Sequence, residues 1–370
     1  MLVVIALGTY GGIRLKKKFT PKKITTISVN DQKFYEKMHI GAADWMKEQV
    51  QSDLKNYQAG ITKEMLNQTF SEEFIKVYSL ARIVVKDGQI ILNINEKQKS
   101  SKGLIQTVAA IKALNSRKKL PDLDLIISME DNIDGLPESC PGPLFIFAKL
   151  KSEDRAILLP DPKALSGYET THKEMQKGQQ IYPWDKKEPL VYWRGTTTGG
   201  SYDFNNWMSY PRSKLVLLSH EYPLCIDAKF TSVAQCDPNL PKYLKDKGLC
   251  AKYAQKIDHL KYKYLIDVDG NTSTYERCYW ELLSNCVTFK HESPYIQWYY
   301  GAIKPYVHYI PVERDMGDLI QKLNWAKEHD EDCKRIAENA TQFVQNQLMP
   351  EDVLIYLDEA LNAYAKLQKF

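Results

Sequence analysis

Two stretches of this chain combine small residues with an arginine in the way an anion site requires. The first, residues 192–207, reads YWRGTTTGGSYDFNNW, with Arg194 followed by Gly195, Thr196 and Thr197. The second, residues 269–277, reads DGNTSTYER and holds Asn271, Thr272, Ser273 and Thr274 ahead of Arg277. Small residues leave backbone N–H groups free to point at an anion, and a guanidinium grips phosphate oxygens as a fork. The second loop also runs into a helical pattern, so the positive end of a helix dipole would face the same ligand. Taken singly, either loop reads more simply as a capped turn. Two of them in one half of the chain point to a phosphate-bearing ligand. Neither is a Walker A loop or a GxGxxG fingerprint.

A third stretch, LIISMEDNIDG, sets Glu130, Asp131 and Asp134 just past an apolar run. A carboxylate there is placed to act as a general base, or to cap a helix or sit in a solvated turn. The seven histidines form no HxxxH or HExxH pair, and no GxSxG elbow occurs.

Such loops hold a ligand only if strands deliver them. LVYWRG and YKYLIDVDG read as strands ending at the two glycine-rich loops, and in open α/β sheets ligands bind beyond the carboxyl ends of strands. RSKLVLLS is a helix or strand between them, TYERCYWELLSN a helix, and CVTFK and YVHYIP further strands. Helices over 316–328, 330–347 and 351–367 close the chain. In the first half, residues 33–57 fit one amphipathic helix, and ARIVVKDGQIILNI is a hairpin turning at Asp87-Gly88. KGLIQTVAAIKALNSR is a helix, DLDLIISM a buried strand, and LFIFAKL and AILLP strand-like runs. The alternation argues α/β with a parallel sheet in each half. Residues 161–189 turn polar and form the candidate hinge.

The bulk numbers agree with two soluble domains. The chain has 370 residues, 44% hydrophobic and 26% charged, too long for one core. A net charge of +4 with evenly spread Lys and Arg marks no dedicated nucleic-acid surface. Seven cysteines occur without a CxxC pair, so no zinc site at standard spacing is present, and the odd count leaves a free thiol, as in a reducing compartment. The first 18 residues, an apolar run and then basic residues, are too short and too glycine-interrupted to span a bilayer. They suit a short strand, a remnant anchor or a peripheral membrane contact.

The motifs PWDKKEPLVYWRGTTTGG, RSKLVLLS, YKYLIDVDGN, ESPYIQWYYGAIKPYVHYIPV and RDMGDL, in this order from about residue 120 to 345, resemble the capsule-associated and Rumi-type enzymes of glycosyltransferase family 90. The resemblance implies a GT-B fold, with two Rossmann-like domains facing a central cleft. After the apolar and basic N-terminal segment over 1–24, it implies an acceptor-side domain over 25–175 with the helix of 350–370 packing back on it, and a donor-side domain over 176–349. It implies an inverting transfer of glucose or xylose from a UDP-sugar to a hydroxyl of a surface glycan, glycolipid or protein, with no metal and no cofactor beyond the donor. Carried over residue by residue, Arg194, Gly195, Thr196 and Thr197 meet the donor. So do Arg212, which heads RSKLVLLS, and Asn271, Thr272, Ser273, Thr274 and Arg277. Asp131 falls on the family's general base. Where animal members carry an aromatic after that aspartate, this chain has Asn132, so the acceptor contacts differ. The second loop is a residue longer than in Rumi-type members. A nucleotide- or glycan-binding pseudoenzyme and a UDP-sugar hydrolase are the alternatives. The cysteines and the basic N-terminus favour a cytoplasmic enzyme near a membrane, or, in a eukaryote, one in the secretory lumen.

Overall fold

The computed structural model describes residues 3–6, 15–18, 27–96, 98–131, 133 and 135–370. Asn132, Asp134 and most of the N-terminal segment fall outside these, and with them the membrane contact and the rivalry between Asp131 and Asp134. The chain forms two compact units, the first made of Met1–Tyr168, Tyr295–Gly301 and Leu348–Phe370, the second of Glu169–Pro294 and Ala302–Gln347.

The strands of the first unit are β1 (Val3–Ala6), β2 (Leu15–Lys18), β3 (Leu80–Lys86), β4 (Gln89–Asn93), β5 (Leu123–Ser128), β6 (Leu144–Ile146), β7 (Lys149–Leu150) and β8 (Ala156–Leu158). Seven of them make one sheet, ordered β2-β1-β4-β3-β5-β6-β8. It is mixed, not parallel as the alternation suggested: β3 runs antiparallel to both β4 and β5, while β5, β6 and β8 run parallel. The reason is local. Asp87 and Gly88 both take positive φ (50° and 74°), the backbone of a primed turn, which folds β4 straight back on β3. β5 is buried along its whole length.

The helix expected over 33–57 is two helices, Asp31–Ile40 and Asp44–Leu54. Gly41, at φ 91°, ends the first by donating its N–H to the Lys37 carbonyl, a cap that a β-carbon would strain. The closing helix, Pro350–Leu367, is buried over most of its length. It is tied into the first unit by polar contacts that span the chain. Glu351 accepts from the Asn30 N–H at 2.8 Å, Asp358 pairs with Lys118 at 2.6 Å, and the Tyr364 hydroxyl donates to the Asp124 carbonyl at 2.9 Å.

In the second unit β9 (Glu188–Thr197), β10 (Ile226–Val233), β11 (Tyr262–Asp267), β12 (Val287–His291) and β14 (Ile310–Val312) are ordered β10-β9-β11-β12-β14. Every pairing is parallel, as expected for this half. A parallel sheet is covered on both faces, and Trp193, Phe230, Tyr264, Ile266 and Phe289 pack with Leu215, Leu319 and Leu323 from the flanking helices. The chain starts centrally on β9, steps out to β10, then crosses back to β11. This is a doubly wound order whose switch point lies between β9 and β11, the place beyond the strand ends where such sheets bind ligands.

The expected hinge holds a 13-residue helix, Glu169–Ile181, and the units part at Tyr168, inside the span given to a linker. The other departure is the short strand β13 (Tyr295–Ile296). It pairs with β7, and the following Trp298 packs its ring against Tyr356 at 4.9 Å and Trp45 at 5.7 Å, so residues 295–301 belong to the first unit.

Candidate functional site

The loops that follow β9 and β11 meet at the switch point of the second unit. The Gly199 N–H donates to Asn271 Oδ1 at 3.0 Å. Gly199 sits at φ 102°, and a β-carbon there would lie 2.7 Å from the Gly270 carbonyl oxygen, so only glycine allows the approach. Arg212 clamps the pair from the first turn of the Pro211–Glu221 helix. Its Nη1 donates to the Thr196 carbonyl (2.8 Å) and Thr198 Oγ1 (2.6 Å), its Nε to the Asp269 carbonyl (2.8 Å), and its Nη2 to the Val268 carbonyl (3.1 Å). Burial, together with the nearby Arg277, lowers this guanidinium to about 10, which leaves it cationic at neutral pH.

Arg277 stands in the first turn of the Glu276–Leu283 helix, behind Tyr275, whose φ of 50° is uncommon for a residue with a side chain. Its Nη2 donates to the Arg194 carbonyl at 2.7 Å, and its Nη1 lies 3.5 Å from Glu281. The guanidinium centres of Arg212 and Arg277 lie 5.8 and 5.9 Å from the same Trp193 ring, so one buried indole supports both cations through its π system.

Three hydroxyls of the second loop and of the clamping helix are buried without a hydrogen bond. Thr272 Oγ1 and Ser273 Oγ, in loop residues only 3% exposed, and Ser213 Oγ, fully buried, have no hydrogen-bond partner among the described residues. Buried polar groups are ordinarily satisfied, and three orphans around a pair of arginines suit a ligand rich in oxygen.

Other expected donor residues have different duties. Arg194 turns its guanidinium to Asp227 on the neighbouring strand β10 (2.9 and 2.8 Å) and stacks on Tyr192 at 4.3 Å. Its carbonyl receives Arg277. Gly195 lies under Trp193, whose ring a β-carbon would meet at 2.2 Å. Thr197 Oγ1 accepts from the Ala234 N–H and donates to the Ala234 carbonyl, both at 2.7 Å, which ties β9 to the chain after β10. Thr196 contributes its carbonyl to Arg212, and Thr274 gives its hydroxyl to Asp267.

Beneath the two loops lies a buried charge cluster that sequence reasoning missed. Asp267 pairs with Lys290 on β12 at 2.9 Å. Burial pushes Asp267 up, but Lys290 and the Thr274 hydroxyl outweigh it and hold the carboxyl below its usual range. Asp269 rises to about 6 through burial and the repulsion of Asp267, against the pull of Lys290. Glu281, 1% exposed, rises to about 8 through burial and Asp267. Among the described residues no group of three His, Cys, Asp or Glu could hold a metal ion.

In the first unit, Asp131 is exposed just past the end of β5, its carboxyl raised by partial desolvation and by neighbouring Glu130. Glu130 is held by the Ser79 hydroxyl. A cavity of about 610 Å³ opens beside them, lined among others by Ser79, Met129, Ile75 and Lys76. No helix among the described residues is long and apolar enough to cross a membrane.

The family model described as Glycosyl transferase family 90 matches residues 43–370. Protein O-glucosyltransferase 2 of Danio rerio is 28% identical over 333 residues, covering 86% of this chain and 62% of that protein. Protein O-glucosyltransferase 3 of Mus musculus is 31% identical over 272 residues, covering 69% of this chain and 50% of that protein. The chain therefore spans about half to three fifths of the length of these relatives. Among solved structures, WaaG, a glycosyltransferase involved in lipopolysaccharide biosynthesis, aligns at a TM-score of 0.35 and 13% identity over 57% of this chain and 61% of that one, too slight a likeness to argue from.

Proposed function

From the premise that the chain belongs to glycosyl transferase family 90, we propose that it transfers a glucose or xylose unit from a UDP-sugar to an acceptor hydroxyl with inversion at the anomeric carbon. The observation that carries the donor half of this reading is the pair of loops at the β9–β11 switch point, with two cationic guanidiniums and three orphaned buried hydroxyls. The named relatives are protein O-glucosyltransferases, which supports a hexosyl donor and a hydroxyl acceptor. A surface glycan, a glycolipid and a protein serine all offer that hydroxyl.

In the mechanism that follows, Arg277 meets the diphosphate with the N–H groups that Arg194 and Glu281 leave over. Arg212 contributes fixed positive charge and holds both loops in place. As the bond from the anomeric carbon to the β-phosphate oxygen breaks, negative charge grows on departing UDP. Prearranged cations stabilise it without reorganising, the work done elsewhere by a divalent ion. Asp131 takes the proton from the attacking hydroxyl. Its raised carboxyl brings it nearer the operating pH, where a general base is most effective.

The test is release of UDP from UDP-glucose and UDP-xylose, with and without candidate acceptors, in buffer containing a chelator. Acceptor-dependent release that survives chelation is the expected result. Release without any acceptor would make the protein a hydrolase, and loss of UDP binding on chelation would assign the arginines' task to a metal.

A further inference from the structure

Glu281 is a buried carboxyl that the mechanism above leaves idle. It sits one helical turn beyond Arg277, Oε1 3.5 Å from Nη1, while Oε2 has no hydrogen-bond partner among the described residues. The charged groups facing it are Arg277 on its own helix, Asp267 on β11 and Lys290 on β12. The helices packed on this one present the His172 ring, against Tyr279, and the uncharged Thr341 hydroxyl, which donates to the Leu282 carbonyl. Asp267 is already matched with Lys290 at 2.9 Å. A negative Glu281 would have Arg277 beside it, and Lys290 only as a cation already matched to Asp267.

Resting on the donor reading above, we propose that Glu281 is a positioning residue that steadies Arg277 in its protonated form and withdraws Arg277 from the nucleoside diphosphate when it ionises. A neutral carboxyl one turn away buttresses the guanidinium and leaves its charge for the ligand. An ionised one, buried and short of partners, takes that charge back as an ion pair. The diphosphate and the Glu281 proton are therefore linked. Binding the anionic ligand favours the neutral carboxyl, so above the titration range UDP binding takes up a proton.

With a carboxyl that ionises near about 8, the anionic fraction climbs from roughly one tenth at pH 7 to roughly nine tenths at pH 9. If only the neutral form admits the ligand, affinity falls about tenfold over that span. The experiment is titration of the full chain with UDP at pH 7, 8 and 9, with calorimetry at pH 8.5 in two buffers of different ionisation heat to count protons. The wild type is expected to lose about tenfold in affinity and, at pH 8.5, to take up about three quarters of a proton. Glu281→Gln, which keeps the shape and cannot ionise, is expected to show a flat profile and no uptake. A wild-type profile without the fall, no proton uptake, or a Glu281→Gln protein that retains the alkaline fall would each overturn the proposal. The wild-type calorimetry decides the matter even if the variant does not fold. Absence of UDP binding at pH 7 would instead remove the donor reading itself.

Discussion

Replacing Arg277 by alanine separates binding from folding at this site. In the free protein its guanidinium makes one good bond, to the Arg194 carbonyl at 2.7 Å, and one long contact, to Glu281 at 3.5 Å, and lies over the Trp193 and Trp280 rings at 5.9 and 5.7 Å. Because burial lifts Glu281 to about 8, removing the arginine leaves a neutral acid at pH 7 and strands no anion. The folding cost is then that of one charge-assisted bond at a partly exposed position, about 1–2 kcal/mol. That shifts the melting temperature by only a few degrees in a unit of this size. The functional cost is larger, because a cation aimed at developing negative charge resembles an oxyanion donor, whose loss costs about 2.7–4 kcal/mol, or roughly 100- to 1,000-fold in turnover. Arg212 reverses the proportions. Its removal frees the carbonyls of Thr196, Val268 and Asp269 and the Thr198 hydroxyl together, so Arg212→Ala should melt well below Arg277→Ala. The assays are kcat/KM on the UDP-sugar and thermal melting for both variants. Normal kinetics in Arg277→Ala, or equal melting losses in the two, would refute the division of labour between clamp and ligand.

Two further outcomes follow from the geometry. Asp131→Asn keeps the side chain's shape but cannot accept a proton, so transfer should fall about 100-fold while UDP affinity, measured by thermal shift, is retained. Asp267→Asn leaves Lys290 buried without its anion, which should cost about 3–5 kcal/mol in a denaturant titration. Since the folded Asp267 carboxyl lies below its unfolded value, its contribution is complete above about pH 4 and vanishes as the pH drops through the folded value. The gap between wild type and variant should therefore close only in acid, and a gap that is flat with pH would contradict the pairing.

What could be read along the chain was whatever depends on local chemistry. The Asp87-Gly88 turn, the strands ending at Thr197 and Asp267, and the small-residue loops beyond them all announce themselves within a few residues. What escaped depends on partners distant in sequence. Arg194 looked like a phosphate ligand because nothing nearby competes for it, yet Asp227, 33 residues on, faces it across two parallel strands. Glu281 drew no notice in the sequence, because its burial and its neighbours Asp267 and Lys290 belong to β11 and β12 rather than to its own helix. The antiparallel β3–β5 pairing is a choice of strand order, which hydrophobic periodicity does not encode. The Glu169–Ile181 helix is so polar that composition alone made it a linker.

The ownership of residues 295–301 and 348–370 by the first unit bears on how the chain is made. A ribosome delivers the strands of that unit first, but the Trp298 ring and the 18-residue helix that covers them come near the end. Until then the apolar face under Tyr356 and Tyr364 has no cover, and local pairing cannot supply one, since the missing pieces are some two hundred residues downstream. The second unit draws on one contiguous run apart from that excursion, and so can mature while the first still waits. The first unit can therefore close only once residues 348–370 have cleared the ribosome, and a chain cut before residue 348 would leave its apolar face without a cover.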